Sequence, residues 1–327
     1  MSKEFAHFEE LMRAYRQSYV IFSAFDLGIF KILGWESHSC NQLVKKTGCN
    51  LRGLEMLLTA LQAMNLIIKI DNKYLLNPDL TPYFEPSSAQ YCAGQIEHEH
   101  FLMKRWDHLT DSIHSGQPVK KTDVANTPEI VQRFISAMSH LGQRSAPLVV
   151  ENIPFVDSEK ILDLGGGPGR YLEAILNEFP RTEVTLFDQP ETIDTAQNLL
   201  RDHPAYDRMN FICGDFFEDN FGNTYDTIFL SNIVHIFGPE KNHDLFKKCA
   251  DHLVSGGRIL IKDMFLNDDG SGPLNTSLFA LHMLLSTDSG KCYTFEEMKN
   301  LLKRTGFRYS RIYTLTEFSF VIEAKTG

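Results

Sequence analysis

Apolar residues recur at helical spacing from Phe5 to Leu33, at Phe8, Leu11, Met12, Tyr15, Tyr19, Val20, Phe22 and Ala24. The stripe is broad and aromatic, so the predicted helix has more than one partner to bury against. Ser39-Cys40-Asn41-Gln42-Leu43 reads as a capped short helix stopped at Gly48, and Asn50 caps a second through Leu54, Leu57, Leu58, Leu61 and Met64. Leu66-Ile67-Ile68-Lys69-Ile70, a polar turn at Asp71-Asn72 and Lys73-Tyr74-Leu75-Leu76 predict a hairpin. From Tyr91 to Leu148 the pattern is helical again, with Pro118, Pro128 and Pro147 as breaks. Near residue 150 the period changes. Strand-like and helix-like runs alternate from there on, which predicts a parallel sheet with crossover helices. Arg258-Ile259-Leu260-Ile261-Lys262 is a central strand, and strands near Tyr309–Thr314 and Phe318–Ala324 form an antiparallel edge.

Helix, helix, hairpin is a winged-helix pattern, which raises DNA binding. The would-be recognition helix from Leu51 to Leu61 offers one arginine and one glutamate, and residues 1–90 hold 9 Lys+Arg against 9 Asp+Glu. Phosphate binding needs several uncompensated cations. The whole chain carries a net charge of −10 over 327 residues, again unlike a general nucleic-acid binder. No apolar run approaches the about 20 residues of a membrane helix, and Met1-Ser2-Lys3-Glu4-Phe5 lacks a secretory pattern. Six cysteines without C-x-x-C spacing read as reduced thiols, so the expected location is the cytoplasm. His98, His100, His108 and His114 do not share one helical face, and no metal site is expected.

The strongest signal is Ile161-Leu162-Asp163-Leu164-Gly165-Gly166-Gly167-Pro168-Gly169-Arg170, an apolar strand running through glycines into a helix. Neither Gly165 nor Gly167 starts a G-x-G-x-x-G, because Arg170 and Leu172 stand where the last glycine belongs. No Gly-Lys-Ser/Thr follows, so it is not a Walker loop. The pattern is D-x-G-x-G-x-G. A second strand, Val184-Thr185-Leu186-Phe187, ends at Asp188, a place from which a carboxylate accepts ribose hydroxyls. A third, Asn210-Phe211-Ile212-Cys213, ends in Gly214-Asp215-Phe216-Phe217, an acid and an aromatic suited to an adenine. Acids at three successive strand ends, with no basic residue for a phosphate, suit a cationic, phosphate-free nucleoside such as S-adenosylmethionine.

Together with His235 after the next strand, these motifs resemble the class I S-adenosylmethionine-dependent O-methyltransferases, and within them the caffeate-type, acetylserotonin and bacterial natural-product enzymes. The similarity runs over nearly the whole chain. It implies a Rossmann-like methyltransferase domain at 151–327, α/β and doubly wound, with a mostly parallel sheet and an antiparallel edge. It further implies a mainly α winged-helix dimerisation domain at 1–90 and a helical, substrate-lining segment at 91–150. By this resemblance Gly165, Gly167 and Gly169 pass under the methionine part of the cofactor, Asp188 and Gln189 hold the ribose, and Gly214, Asp215 and Phe216 frame the adenine. Asp163 and Ser231 complete the set, and S-adenosylhomocysteine is the product.

The resemblance makes His235 the general base. The family follows this histidine with Asp-Trp, where this chain has Ile236 and Phe237. The family's later glutamate, which orients the histidine, is replaced by Cys292 in Gly290-Lys291-Cys292-Tyr293-Thr294. Without an acid the expectation is a weaker base or a more acidic acceptor. Met138, His140, Asn232, His282, Met283 and Tyr293 fall where the family lines its acceptor pocket, and Phe101 and Trp106 either wall it or pack as core. The expected protein is a homodimeric small-molecule O-methyltransferase that binds neither nucleic acid nor membrane. Methylation at carbon on the same fold, and a cofactor-sensing DNA regulator, are the alternatives.

Overall fold

A computed structural model describes residues 2–34, 36–88, 90–119, 128–157 and 159–327, with only the backbone of 128–133. The chain divides into two compact units, residues 1–100 and 101–327.

In the first unit the long N-terminal stripe is three helices, not one: α1 (Lys3–Arg13), α2 (Tyr15–Asp26) and α3 (Ile29–Leu33). Gly28, at φ 69°, turns the chain between α2 and α3. The unit's own core begins at Ala24, so α1 buries none of its residues. β1 (His38–Ser39) leads into α4 (Cys40–Thr47), which a Ser39/Gln42 capping box opens and Gly48 closes. The Asn50 side chain caps α5 (Leu51–Ala63) by accepting from the Arg52 and Gly53 amides. The hairpin is β2 (Ile67–Ile70) and β3 (Lys73–Leu76), turned by Asp71 and Asn72, both at positive φ as a tight two-residue turn requires. β1 pairs with β3 and makes the wing three-stranded, in the order β1-β3-β2. Two residues are too short to show alternation, so β1 was not legible in the pattern. α6 (Thr81–Phe84) follows, and α7 (Ala93–Trp106) carries the boundary between the units.

The second unit opens with α8 (Leu109–Ser115) and α9 (Pro128–Asn152). Pro147 does not break the chain as expected; it lies inside α9. Ala146, Val149 and Ile153 around it are buried, and their burial outweighs the about 3 kcal/mol that an interior proline costs a helix. The sheet follows: β4 (Lys160–Leu164), α10 (Arg170–Glu178), β5 (Glu183–Asp188), α11 (Pro190–Leu200), β6 (Met209–Cys213), β7 (Tyr225–Ser231), α12 (Pro239–Asp251), β8 (Leu253–Asp263), α13 (Leu274–Ser286), α14 (Phe295–Arg304), β9 (Phe307–Thr314) and β10 (Phe320–Thr326). Strand order is β6-β5-β4-β7-β8-β10-β9, parallel from β6 to β8 with β10 antiparallel to both its neighbours.

Both faces are covered, which is why these strands are continuous apolar runs. Leu162, Ile228, Leu230 and Ile261 pack with α12 and α14, whereas Ile161, Leu186, Phe229 and Leu260 pack with α9, α10 and α11. The chain leaves β4 toward β5 on one side and returns to β7 on the other. That switch opens a crevice at the carboxyl ends of the strands, where doubly wound sheets bind ligands. No helix among the described residues is long and apolar enough to cross a membrane.

Candidate active site

The glycine turn sits at this switch point. The Gly165 amide donates to the Phe187 carbonyl (2.8 Å) and fastens the turn to β5. A Cβ on Gly166 would run into the Asp163 carboxyl and Leu186, so only glycine fits above that acid. Gly167 has φ 58° and open space where a Cβ would stand, and its amide donates to Asp188 Oδ2 at 2.8 Å. Gly169 caps α10, whose first residue is Arg170. Arg170 donates to Ser139 Oγ (2.9 Å) and Glu173 (2.8 Å), so the cation nearest the turn already has its partners.

The acids divide the work. Asp163 lies within β4 and points under the turn. It is fully buried, and neither oxygen has a hydrogen-bond partner among the described residues. Burial, and then the neighbouring Asp188, push its pKa up to about 8. Asp188 at the tip of β5 accepts one amide on each oxygen, from Gly167 and from Gln189 (2.7 Å). Burial raises its pKa, and these amides oppose the rise. The Thr192 hydroxyl donates to this carboxylate too, and the lone pair left over can accept a ligand hydroxyl. Gln189 Nε2 donates to the Gly214 carbonyl (3.1 Å) and ties the ends of β5 and β6 together. Asp215 is exposed, and its carboxylate accepts from the Phe217 amide (2.8 Å), which folds the turn that presents Phe216. Phe216 stands against Phe217 and Phe237, with ring centroids at 5.0 and 5.8 Å. Lys248 of α12 braces this turn by donating to the carbonyls of Phe216 (2.9 Å) and Asp219 (2.6 Å).

β7 ends at Ser231, whose buried hydroxyl has no partner among the described residues, and Asn232 follows at φ 59°. A single 3₁₀ turn, Val234–Ile236, then presents His235. The histidine does have an acid. Its Nδ1 lies 2.7 Å from Asp263 Oδ1 at the tip of β8, and its amide donates to Asp263 Oδ2 at 3.4 Å. The Met264 amide holds the same carboxylate from behind at 2.7 Å. The expected absence of an acidic partner is thereby corrected: positions 236 and 292 carry no acid, and the acid comes from the neighbouring strand. Cys292 is buried nearby. Burial and then Asp263 itself push its thiol up to about 12, so it is neutral and cannot take the glutamate's part.

The six residues expected around the acceptor fall into two groups. Met138 and His140 are half-buried on α9; His282, with the buried Met283, lies on α13, where Phe279 meets the His235 ring edge-on at 4.8 Å. Burial, followed by Arg170 and Arg144, lowers the His140 pKa and keeps that imidazole neutral. Asn232 accepts from Lys262 Nζ at 3.1 Å. Tyr293 is different. It is buried in the core, its hydroxyl donates to the Phe237 carbonyl (2.7 Å) and accepts from Asn242 (3.0 Å), and burial pushes its pKa up to about 12. It braces the His235 turn instead of lining an open wall. Phe101 and Trp106 are half-buried on α7, with Arg105 5.5 Å from the Phe101 ring.

Residues 106–308 match the O-methyltransferase domain family and residues 9–77 its dimerisation domain. The chain therefore belongs to the O-methyltransferase family. It is an S-adenosylmethionine-dependent methyltransferase with its family's dimerisation domain ahead of the catalytic unit. The 3-hydroxy-5-methyl-1-naphthoate 3-O-methyltransferase of Streptomyces sahachiroi is 26% identical over 293 residues, 87% of this chain and 84% of that one. Acetylserotonin O-methyltransferase of Gallus gallus is 26% identical over 311 residues, 89% and 88% of the two chains. Human N-acetylserotonin methyltransferase, solved in complex with S-adenosylmethionine, superposes with a TM-score of 0.89 at 22% identity, covering 100% of this chain and 99% of that one.

Proposed function

We propose that this protein methylates a hydroxyl oxygen of a small aromatic or polycyclic molecule, with His235 as general base and Asp263 as its positioning partner. The observation that carries the reading is the buried 2.7 Å contact between His235 Nδ1 and Asp263. Asp263 accepts the Nδ1 proton, which leaves the Nε2 lone pair for the acceptor's hydroxyl proton. As that proton arrives, the carboxylate stabilises the imidazolium, and such general-base help is worth about 10² to 10⁴ in rate. Phe279, edge-on to the ring, and the Tyr293–Phe237 bond hold the histidine in place.

The site fits the methyl donor, with an orphaned acid beneath the glycine turn, open space before Gly167 and Arg170 already paired. When bound, S-adenosylmethionine supplies a methyl carbon on a sulfonium leaving group. Asp188 and Gln189 would hold its ribose, Gly214, Asp215 and Phe216 its adenine, and Asp163, Gly165, Gly167, Gly169 and Ser231 its methionine part. Met138, His140, Asn232, His282 and Met283 would face the acceptor. Both acceptors in the relatives' names carry an aromatic hydroxyl, which supports that class here.

The functional unit is a homodimer. Phe5, Phe8, Leu11, Met12, Tyr15 and Tyr19 of α1 and α2 are all more than half exposed within one copy, and a second copy would cover them. Six free thiols suit the reducing cytoplasm. Product analysis with a panel of naphthols and isotopically labelled donor tests the chemistry. An O-methyl resonance that falls at least about 100-fold in rate in H235A is expected. A C-methyl product would replace the reading, and full turnover by H235A would remove the base.

A further inference from the structure

Lys262 is the last residue but one of β8, and it is 94% buried on the face that packs against α9 and α10, since it alternates with Leu260. Its Nζ donates to Asn232 Oδ1 at 3.1 Å and lies 5.8 Å from the centre of the Tyr171 ring. Asn232 directly follows the tip of β7, and Tyr171 belongs to the first turn of α10. The ammonium is therefore held between the β7 tip and the helix that leaves the glycine turn. Among the described residues no carboxylate lies within ion-pair distance of it. A buried lysine is ordinarily paired, and among the described residues this one has a single neutral acceptor for its three donors.

Its surroundings are donors as well. Ser231, opposite Lys262 in the β7–β8 register, has a buried hydroxyl with no partner among the described residues. Asn232 uses its carbonyl oxygen on Lys262, so its NH₂ is left to donate. Resting on the reading of this crevice as the donor–acceptor site, we propose that Lys262, Asn232 and Ser231 form an oxyanion subsite that takes a carboxylate or phenolate oxygen of one reactant. Two sources fit that chemistry: the amino-acid carboxylate of the methyl donor, or an acidic group on the acceptor.

Calorimetry with S-adenosylhomocysteine and 5′-methylthioadenosine separates them, because the second is the same nucleoside thioether without the amino acid. Fluorescence titration with 3-hydroxy-2-naphthoate and 2-naphthol does the same for the acceptor. If the donor's carboxylate is held, K262M weakens S-adenosylhomocysteine by about 10- to 100-fold and leaves methylthioadenosine unchanged. If the acceptor's acid is held, K262M leaves both nucleosides unchanged and weakens the naphthoate, relative to the naphthol, by a similar factor. K262R, which keeps the cation, retains the discrimination in either case, and K262Q replaces K262M should the latter not fold. Equal losses for all four probes, or none, make Lys262 a packing residue and overturn the proposal. Failure of the unaltered protein to take up S-adenosylhomocysteine overturns the donor-site reading and the proposal together.

Discussion

Replacing Asp163 with asparagine separates the charge of this buried carboxyl from its shape. The acid is fully buried, has no hydrogen-bond partner among the described residues and carries a pKa of about 8 instead of the ordinary 3.8. A raised native pKa means that the folded protein keeps a proton that the unfolded chain has lost. Between about pH 4 and 8 the native state therefore binds more protons, and stability falls as pH rises, by about 1.4 kcal/mol per unit. Above pH 8 the term is flat. D163N has no group to titrate there. Its buried amide adds a penalty that does not depend on pH. Urea unfolding of the ligand-free protein from pH 5.5 to 8 should show D163N gaining roughly 3 kcal/mol on the parent across the window. Parallel curves for the two proteins would mean that Asp163 titrates alike folded and unfolded, and that burial does not hold its proton. A bound cationic donor pulls the pKa back down, so affinity for S-adenosylmethionine should rise from pH 6 to 8 in the parent and stay level in D163N.

D263N should lower kcat by about 10² or more with little change in the calorimetric Kd for S-adenosylhomocysteine, whereas C292S should stay within a few-fold of the parent; equal effects would return the partner role to position 292. G166A should lose nucleoside binding and unfold at lower urea, because its Cβ would meet the Asp163 carboxyl and Leu186, and unchanged values would show that the turn can shift. Y293F removes the hydroxyl that holds the Phe237 carbonyl and should lose about 1 kcal/mol in urea unfolding while keeping its preference among acceptors; a changed preference would restore Tyr293 to the pocket wall. Charges placed in the exposed stripe, as in F8E/L11E, should convert a dimer to a monomer in sedimentation, and a dimer that survives them joins through another surface.

Much of the fold was legible because it is written in short-range pattern. Asn50, the Asp71-Asn72 turn and the switch of period near residue 150 act over a few residues of chain. The glycine turn was legible for the same reason, since Gly165, Gly167 and Gly169 are spaced by the turn they make. Its excluded alternatives were also local, Arg170 and Leu172 standing where other nucleotide loops need glycine. Less local features were misjudged. The α1–α3 stripe looks continuous because breaks at Ala14 and Gly28 do not interrupt the apolar spacing. Pro147 looks like a stop because the burial that overrides it comes from the sheet.

The sequence alone determined that strand tips, a glycine turn and a histidine would meet at one edge of a parallel sheet, because strand–loop–helix order in such sheets admits few arrangements. Only the tertiary structure decided which acid serves His235. Asp263 is 28 residues away and reaches it because β8 lies beside β7 with Ser231 opposite Lys262, a register that no local spacing encodes. The same register sets a buried lysine beside Ser231 and Asn232, and burial, not residue type, makes Asp163 a neutral acid at pH 7 and Cys292 an unreactive thiol. Charge and reactivity depend on how much water and which neighbours a group keeps, and those are properties of the packed chain.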